Sequence, residues 1–487
     1  MRRPKGGRVV NVIEVEDDEV RSGAGLNAPT VGESHHRGGE LCHASHRKAE
    51  VDHSLVPRVP AQLSGKGPVV ARMGHAVAPL HQSPIRRGHG PRLAHESPHV
   101  FVEHVVRHDT GRGLLDEVDD AVWRADDVLG WVYEYYNMPD LGDVREKARG
   151  PGLDAEDVPV ANQFYTPHWV VRMLTDNSLG KLFLEHEGTL QQTIQNQSER
   201  FTPEERKDRD SGAASSIEEL CTYLVATEEE GEATEFEHPR EIRVFDPAVG
   251  SAHFLLYAFD VLERIWWEME PDMSRAEVPA KILRHNLFGV DLDLRACQLA
   301  AFNLYLKARG RAEELGSENF EMPSVGIVCA NVHGLDTQLA SEIFDEVAGG
   351  NTSVRSMLSD VCTEFVETPG LGSLFNPTAQ IEEQFTEHGA ELDSKHGSDM
   401  EALFRDFRDT TERRLNGDGF AASDIRSLAR LLTVLTQDYD VTLMNPPYGA
   451  RERMPEEVRK YVKESYDYNP EFYINFFEVG ERLSKEG

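Results

Sequence analysis

The sequence predicts an α/β protein built on a parallel sheet. Residues 241–330 alternate short apolar segments with longer amphipathic segments, which is the pattern of strands joined by crossover helices. A turn containing a glycine follows the first apolar segment, and an acidic residue ends the second. Open α/β sheets bind ligands at the carboxyl ends of their strands. The same residues therefore predict a binding site at that edge of the sheet.

The composition is strongly acidic. The 487 residues include 51 Lys and Arg against 85 Asp and Glu, a formal net charge of −34, and 39 Arg outnumber 12 Lys. Acidic surfaces of this kind stay soluble by self-repulsion, as the proteins of halophiles do, so we predict a halophilic source. The acidic total argues mildly against a nucleic-acid partner, although a local basic groove remains compatible with one.

The cysteines and the apolar runs bear on location and on metal binding. The five cysteines form no CxxC pair, so neither a disulfide framework nor a zinc ribbon is indicated. No apolar run reaches the roughly 18 residues of a membrane span, and the N-terminus has no signal-peptide core. We predict a cytoplasmic protein without a metal and without membrane contact.

Residues 1–112 differ in composition from the rest of the chain. Their first 110 residues contain 12 of the 20 histidines but a single aromatic residue, Phe101. Such a segment cannot bury enough apolar area to offset the entropy of ordering it. We predict that it is unstructured or translated out of frame. The cluster of His35, His36, Cys42, His43 and His46 matches no established metal-ligand spacing.

The remaining chain divides into segments by patterning. It is long enough for two or three domains. A helix is predicted after "QFYTP", with Thr166 as its N-cap and Pro167 at its first position. The predicted segments are a helical segment that includes this "FYTP" helix (113–184), an acidic insertion (185–240), the first part of the sheet (241–335), an acidic helical insertion (336–436), and a last strand and helix (437–487). Both acidic insertions are predicted to be solvated surfaces, with docking surfaces as the alternative.

The stretch "EIRVFDPAVGSAHF" predicts a buried strand, a turn and a helix that begins at Ser251. Asp246, Pro247 and Gly250 make the turn. Gly250 lets the backbone approach a ligand closely, and the helix N-terminus offers N–H groups to a negative charge. A glycine in such a turn is nevertheless often an ordinary turn residue.

Two further strand ends carry polar side chains that could face the same site. The strand "LFGVD" ends in Asp291, where nucleoside-binding sheets accept hydrogen bonds from ribose hydroxyls. The alternative is a solvated strand end or a helix cap, and Asp293 is the better candidate for that cap. The strand within "PSVGIVCANVHGLD" brings Asn331 to this edge, unless it is an ordinary loop asparagine.

The segment "YDVTLMNPPYG" places two prolines directly after an apolar strand. Proline lacks an N–H and ends pairing in a sheet. Asn445, Pro446, Pro447 and Tyr448 therefore form a rigid corner, which either terminates the strand or holds an amide beside a ring.

Taken in order, "QFYTP", "FDPAVGSAHF", "FGVDLD", "CANVHGL" and "NPPY" resemble the motifs of S-adenosylmethionine-dependent DNA adenine N6-methyltransferases. The phrases "DDVLGWVYEYYN" and "NQFYTPHWVVRMLTDNSLG" look like the methyltransferase of phage-growth-limitation and bacteriophage-exclusion (BREX) defence systems. The resemblance covers about 125–335 and 437–487. It implies a Rossmann-like sheet, S-adenosyl-L-methionine as cofactor, and double-stranded DNA and other defence proteins as partners.

The resemblance also implies roles for individual residues. Thr166 and Gly250 would contact the methionine part of the cofactor, and Asp246, in the same loop as Pro247, would hold its amino end. Asp291 would accept the ribose hydroxyls, and Asn331 would face the adenine of the cofactor.

The catalytic corner would act on the target adenine. The Asn445 side-chain oxygen and the Pro446 carbonyl would accept the hydrogens of its exocyclic amine, and Pro447 would keep the backbone rigid. Tyr448 would stack on the flipped-out base.

Three features depart from the family pattern. Ala252 replaces the second glycine of the turn, and Asn331 stands where an aspartate is common. The chain also stops one helix after "NPPY", so later strands, a second aromatic residue and the target-recognition domain are expected to be absent. We therefore expect little or no DNA methylation by this polypeptide alone.

Other functions remain open at this stage. A methyltransferase acting on protein glutamine or on RNA would use the same amide cradle, and a non-catalytic remnant or subunit could bind cofactor, DNA or partner proteins. An NAD-dependent dehydrogenase is disfavoured, because the sequence has no GxGxxG.

Overall fold

Four parallel strands form the centre of the described structure, in the order β3-β2-β1-β4. They are β1 (Val244–Asp246), β2 (Leu287–Asp291), β3 (Gly326–Cys329) and β4 (Val441–Thr442). Phe245 in β1 is paired with Phe288 of β2 on one side and with Thr442 of β4 on the other. The predicted α/β class is confirmed. Because β2 and β4 flank β1, the strand order reverses beside β1, and such switch points are where α/β sheets bind ligands.

The computed structural model describes part of the chain. The described residues are 128–130, 132–133, 144, 147, 157, 166–200, 214–226, 234–332, 334–381, 400–415, 420–448, 454–467 and 471–485. The predicted out-of-frame segment 1–112, with its histidine cluster, lies outside them. None of the helices within the described ranges combines the length and the apolar character that crossing a membrane requires.

Helices of different lengths surround the strands. The helices are α1 (His168–Thr175), α2 (Lys181–His186), α3 (Leu190–Arg200), α4 (Ile217–Leu220), α5 (His253–Met269), α6 (Val278–His285), α7 (Leu294–Glu314), α8 (Thr337–Ala348), α9 (Thr352–Glu367), α10 (Met400–Arg414), α11 (Phe420–Val434), α12 (Glu456–Ser465) and α13 (Phe472–Leu483). A π-helical segment, Asp176–Gly180, joins α1 to α2.

Two hydrophobic clusters lie against the sheet. Val244 belongs to a cluster with side chains of α1, α2 and α5, whereas its neighbour Phe245 belongs to a cluster with side chains of α8 to α13. Successive residues of a strand point to opposite faces. The two clusters are therefore the two outer layers of a three-layer structure, with the sheet between them.

Both predicted insertions contribute to this core, which corrects their description as solvated segments. Leu190, Ile217 and Cys221 of the first are buried, and Val361 and Phe407 of the second are fully buried. The reason is amphipathic patterning, because α9 buries apolar residues at helical spacing while its acidic residues stay outside. The boundaries predicted for the segments stay predictions.

The start of the "TP" helix also differs from the expectation. Helix α1 begins at His168, and Pro167 occupies the N-cap position without a side-chain capping bond. The prediction of Thr166 as N-cap is therefore wrong by one position. Pro167 brings a fixed backbone angle to the start of the helix, and its carbonyl accepts the first helical bond, from the Val170 N–H at 2.9 Å.

Candidate functional site

A cavity of about 150 Å³ lies at the carboxyl ends of β1, β2 and β4. Its lining brings together predicted site residues from four separate stretches of the chain. These are Thr166, Asp246, Pro247, Gly250, Asp291, Asn445 and Pro447. The predicted turn, the acid after β2 and the proline corner thus share one site.

Three predicted residues do not line this cavity. Asn331 is exposed, so its position does not support the predicted contact with the adenine of a cofactor. Pro446 is buried and Tyr448 is half-buried. The Tyr448 ring lies 6.0 Å from the ring of Tyr473 between centroids, which places a second aromatic residue beside the corner.

The turn after β1 holds a buried carboxyl group. Asp246 is 1% exposed, and its Oδ1 accepts a hydrogen bond of 3.0 Å from the Ala248 N–H. Burial raises the pKa of Asp246 to about 8, and the nearby charge of Asp291 acts in the same direction. A cationic group bound beside this carboxyl would favour its ionised form.

Gly250 leaves open space beside the turn. Its backbone has φ of +50°, and a Cβ placed on it would meet no heavy atom within 4 Å. Because Gly250 also lines the cavity, a ligand can approach the backbone there. The next helix starts from Ala252, a non-glycine residue in the left-handed conformation with φ of 73°.

Asp291 is positioned by two backbone donors. Its Oδ2 accepts from the Gly250 N–H and its Oδ1 from the Asp293 N–H, both at 2.9 Å. Burial raises the pKa of Asp291 to about 6, so the group is mostly ionised at neutral pH. A carboxylate offers about four acceptor positions. Those that remain can take the hydroxyl groups of a ribose.

Asp293 is the cap of the following helix, as predicted. Its Oδ1 accepts a bond of 2.8 Å from the Arg295 N–H at the start of α7. Its Oδ2 accepts a bond of 2.6 Å from the Tyr133 hydroxyl, and Tyr133 lines the cavity. Sequence reasoning singled out the segment that contains Tyr133 but assigned this side chain no role.

The proline corner follows a very short strand. Strand β4 ends at Thr442, and one further ladder bond joins the Leu443 N–H to the Phe245 carbonyl at 2.9 Å. Met444 is then buried, and Asn445 is half-buried at the cavity wall. Pairing stops at Leu443, and Pro446 and Pro447 cannot resume it, because neither residue has an N–H.

Sequence reasoning missed two groups of lining residues. Phe472 and Phe476 come from α13, one helical turn apart. The other group is a loop inside the second predicted insertion, Gly370, Leu371, Gly372 and Ser373. The signal for this loop was available in "PGLGSLF", where two glycines interrupt an otherwise helical and acidic segment.

The described residues contain no group of three or more His, Cys, Asp and Glu side chains arranged to hold a metal ion. The donor set of the cavity instead combines a carboxylate that accepts hydroxyl groups, a buried carboxyl suited to a cation, and open backbone at a glycine. These groups fit a nucleoside that carries an amino-acid end, which is the constitution of S-adenosylmethionine.

Comparison with known proteins gives a family match over the second part of the chain. Residues 285–487 match the family model described as Eco57I restriction-modification methylase. The matched region includes β2, β3, β4 and the proline corner. The helices and the small parallel sheet are compatible with an α/β methyltransferase fold.

The chain is homologous to adenine-specific methyltransferases. It is 28% identical over 395 residues to adenine-specific methyltransferase PglX of Lacticaseibacillus casei (strain Zhang), covering 77% of this chain and 29% of the relative. It is 25% identical over 398 residues to adenine-specific methyltransferase BrxX of Escherichia coli O9:H4 (strain HS), with the same coverage of 77% and 29%.

A further relative is a putative type II restriction enzyme and methyltransferase of Methanocaldococcus jannaschii, 28% identical over 185 residues, which are 37% of this chain and 14% of the relative. The chain thus spans less than a third of the length of the curated relatives it matches.

Proposed function

We propose that this chain carries the catalytic core of a DNA methyltransferase that transfers a methyl group from S-adenosylmethionine to the N6 atom of adenine. The observation that carries the proposal is the shared cavity, which Asn445 and Pro447 line together with the Asp246–Gly250 turn and Asp291. Such an arrangement would bring the methyl donor and an acceptor of amine hydrogens into one space. The names of the relatives support adenine as the target.

The chain's own residues would hold the cofactor at both ends. The Asp291 carboxylate would accept the ribose hydroxyls while the Gly250 N–H keeps it oriented. The Asp246 carboxyl would ionise against the cofactor's ammonium group, and Thr166 would contact the same end. When bound, S-adenosylmethionine supplies a methyl group on a sulfonium, which a weak nucleophile can attack without a metal.

The proline corner would prepare the adenine amine for that attack. The lone pair of this amine is delocalised into the ring, so the nitrogen must become more tetrahedral to react. The Asn445 side-chain oxygen and the Pro446 carbonyl would accept its two hydrogens and spread the developing positive charge. Pro446 and Pro447 fix both acceptors before the reaction, so no reorganisation is needed.

Adenine inside a duplex cannot reach such a corner. The target base would therefore leave the helix and stack on the half-buried ring of Tyr448, beside Tyr473. Double-stranded DNA is the proposed substrate, and phage defence is the proposed context, by homology to PglX and BrxX. We propose that the cytoplasm is the site of action, since DNA is the substrate.

The test separates cofactor binding from methyl transfer. S-adenosylmethionine is titrated calorimetrically into the 487-residue chain in high KCl, and transfer of a tritiated methyl group to unmethylated DNA is then measured at lower salt, because salt weakens DNA binding. Asn445→Ala should retain cofactor binding and abolish whatever transfer the parent shows.

Two results would contradict the proposal. One is a well-folded parent chain that does not bind S-adenosylmethionine. The other is label appearing in DNA at the same rate with Asn445→Ala as with the parent. Label that appears in RNA or protein and not in DNA would contradict DNA as the substrate, but it would not contradict the proposed cofactor site.

A further inference from the structure

The loop of residues 370–373 belongs to a segment for which the sequence suggested no role in cofactor binding. It connects α9 to the remainder of the second predicted insertion, about 80 residues after Asp291 and 70 before Asn445 along the chain. Nevertheless all four of its residues line the cavity together with Asp291 and Leu292.

The loop is fixed to the turn after β1. The buried Ser373 hydroxyl donates a hydrogen bond of 2.5 Å to the Pro247 carbonyl, across 126 residues of sequence. Leu371 and Leu374 are buried at 1% and 0% exposure in the same hydrophobic cluster as Phe245. The loop is therefore fixed on one side by its hydrogen bond to the turn after β1, and on another by the packing of Leu371 and Leu374 in the hydrophobic cluster.

Residues that follow the proline corner hold the other side of the loop. The Tyr466 hydroxyl donates to the Leu374 carbonyl at 2.5 Å, and the Arg482 guanidinium donates to the Phe375 carbonyl at 3.2 Å. The Tyr461 hydroxyl accepts from the Asn376 N–H at 2.9 Å. These bonds tie the residues that directly follow the loop to α12 and α13, so the loop is held between the turn after β1 and the helices that follow the catalytic corner.

The backbone of the loop approaches Leu292 closely at Gly372. This glycine has φ of +55°, and a Cβ placed on it would lie 3.2 Å from the Leu292 Cδ2 atom. Gly370 also has a positive φ, of 88°. Leu292 directly follows the carboxylate proposed to hold the ribose and packs against Gly372, so the loop and Leu292 form one continuous side of the cavity next to the place proposed for the ribose.

We propose that residues 370–373, together with Leu292, form one wall of the S-adenosylmethionine pocket, and that this wall packs against the nucleobase of the cofactor. The inference rests on the proposed function, and it adds to the proposed cofactor site residues that lie outside the sequence motifs. The loop contains no ionisable side chain, which suits a flat uncharged ring and not the charged amino-acid end.

Gly372→Ala is the principal variant, and Gly349→Ala is its matched control. Gly349 has a similar φ of +58°, but a Cβ there would meet nothing within 4 Å. Both substitutions introduce the same backbone strain, but only the new methyl group of Gly372→Ala also pushes against Leu292. By calorimetry, Gly372→Ala should bind S-adenosylmethionine about tenfold more weakly than the parent, whereas Gly349→Ala should stay within about twofold.

The same titrations with 5′-methylthioadenosine, which lacks the amino-acid end, locate the contact. An equal loss for this ligand supports a wall against the nucleobase, and an undiminished affinity for it would overturn that assignment. Equal affinity of Gly372→Ala and the parent for S-adenosylmethionine, or an equal loss with Gly349→Ala, would overturn the inference while the proposed function stands. A parent chain that binds neither ligand would overturn both.

Thermal unfolding without ligand shows whether the two glycine variants fold equally well. If Gly372→Ala does not fold, Ser373→Ala replaces it, because that change removes the hydrogen bond to Pro247 and leaves the backbone conformation free of strain. Weaker cofactor binding by Ser373→Ala would support the wall. Unchanged binding would overturn it.

Discussion

The backbone N–H of Gly250 donates a hydrogen bond of 2.9 Å to the carboxylate of Asp291. The first residue lies in the turn after β1 and the second ends β2, so one bond joins the two strand ends that build the proposed cofactor site. The carboxylate that would receive the ribose is thereby oriented before any ligand arrives. Orientation of this kind reduces the cost of binding, because less side-chain freedom is lost in the complex.

Removing this carboxylate should impair cofactor binding strongly. Asp291→Ala eliminates the proposed acceptor for the ribose and leaves the Gly250 N–H without its partner. We expect affinity for S-adenosylmethionine to fall about 100-fold, since hydrogen bonds to a charged group contribute roughly 1.5–3 kcal/mol each. Calorimetric titration measures the change. Asp336→Ala is the control, because Asp336 caps α8 with the same chemistry but does not line the cavity; an equal loss there would contradict the assignment.

Binding of S-adenosylmethionine should release a proton at neutral pH. With a pKa of about 8, the Asp246 carboxyl is mostly protonated at pH 7 in the free chain. A bound ammonium group would lower this pKa, so about one proton should leave on binding. Titrations in buffers of different ionisation enthalpy measure the number released. Asp246→Asn should release markedly fewer protons, and equal release by both proteins would place the ammonium elsewhere.

Position 252, where Ala252 has a left-handed backbone conformation, should accept a glycine with far less loss of stability than a branched side chain. Glycine relieves strain at φ of 73° but loses a buried methyl group and backbone order. These effects offset one another, so Ala252→Gly should change the free energy of unfolding by less than about 1 kcal/mol. Ala252→Val should cost about 2 kcal/mol or more, because β-branched residues are strongly disfavoured there. Denaturant titration compares them, and equal stability of both variants would contradict this strain.

A buried acid in the helix before the sheet should make stability depend on pH. Asp176 is fully buried and accepts bonds from the Tyr257 hydroxyl at 2.8 Å and from the Tyr223 N–H at 2.9 Å. Burial raises its pKa from 3.8 to about 6. The neutral acid is thus favoured in the folded chain, and this contribution to stability is complete below about pH 4 and is lost as pH rises through about 6.

Asp176→Asn should therefore flatten the fall of unfolding free energy between pH 4 and pH 6. Urea titrations at several pH values give the slope for the parent and the variant. Asp272→Asn, at an exposed position, should leave the slope unchanged. A parent whose stability rises over this interval, or a variant with the parental slope, would refute the role of Asp176.

Local patterning was sufficient to predict the sheet and the strand ends that line the cavity. Each predicted strand end is marked by an apolar run that a glycine, an acidic residue or a proline interrupts. These signals lie within a few residues of the strand ends at Asp246 and Asp291 and of the corner at Asn445. The helix cap at Asp293 was predicted for the same reason. The inward position of Phe245, which is 0% exposed, also agrees with its strand pattern.

The lining residues that sequence reasoning missed reach the cavity through contacts between distant parts of the chain. The loop at Gly372 and the ring of Phe476 reach the cavity because the chain returns to it through long helical segments. Tyr133 lies there because its hydroxyl meets a cap 160 residues away. The two insertions were predicted to be solvated because acidic residues dominate their composition, although the side chains that alternate with those acids build the core.

The walls of the cavity come from both sides of the interval between Ile381 and Met400. Asp246, Asp291 and Gly372 precede this interval, whereas Asn445 and Phe476 follow it. The two stretches also share one hydrophobic cluster, in which Phe365 and Phe404 both take part. A chain divided within the interval would therefore leave an incomplete cavity on each piece. If the two pieces recovered cofactor affinity when mixed, the protein could serve as a split reporter. Cofactor binding would then report the association of its two halves.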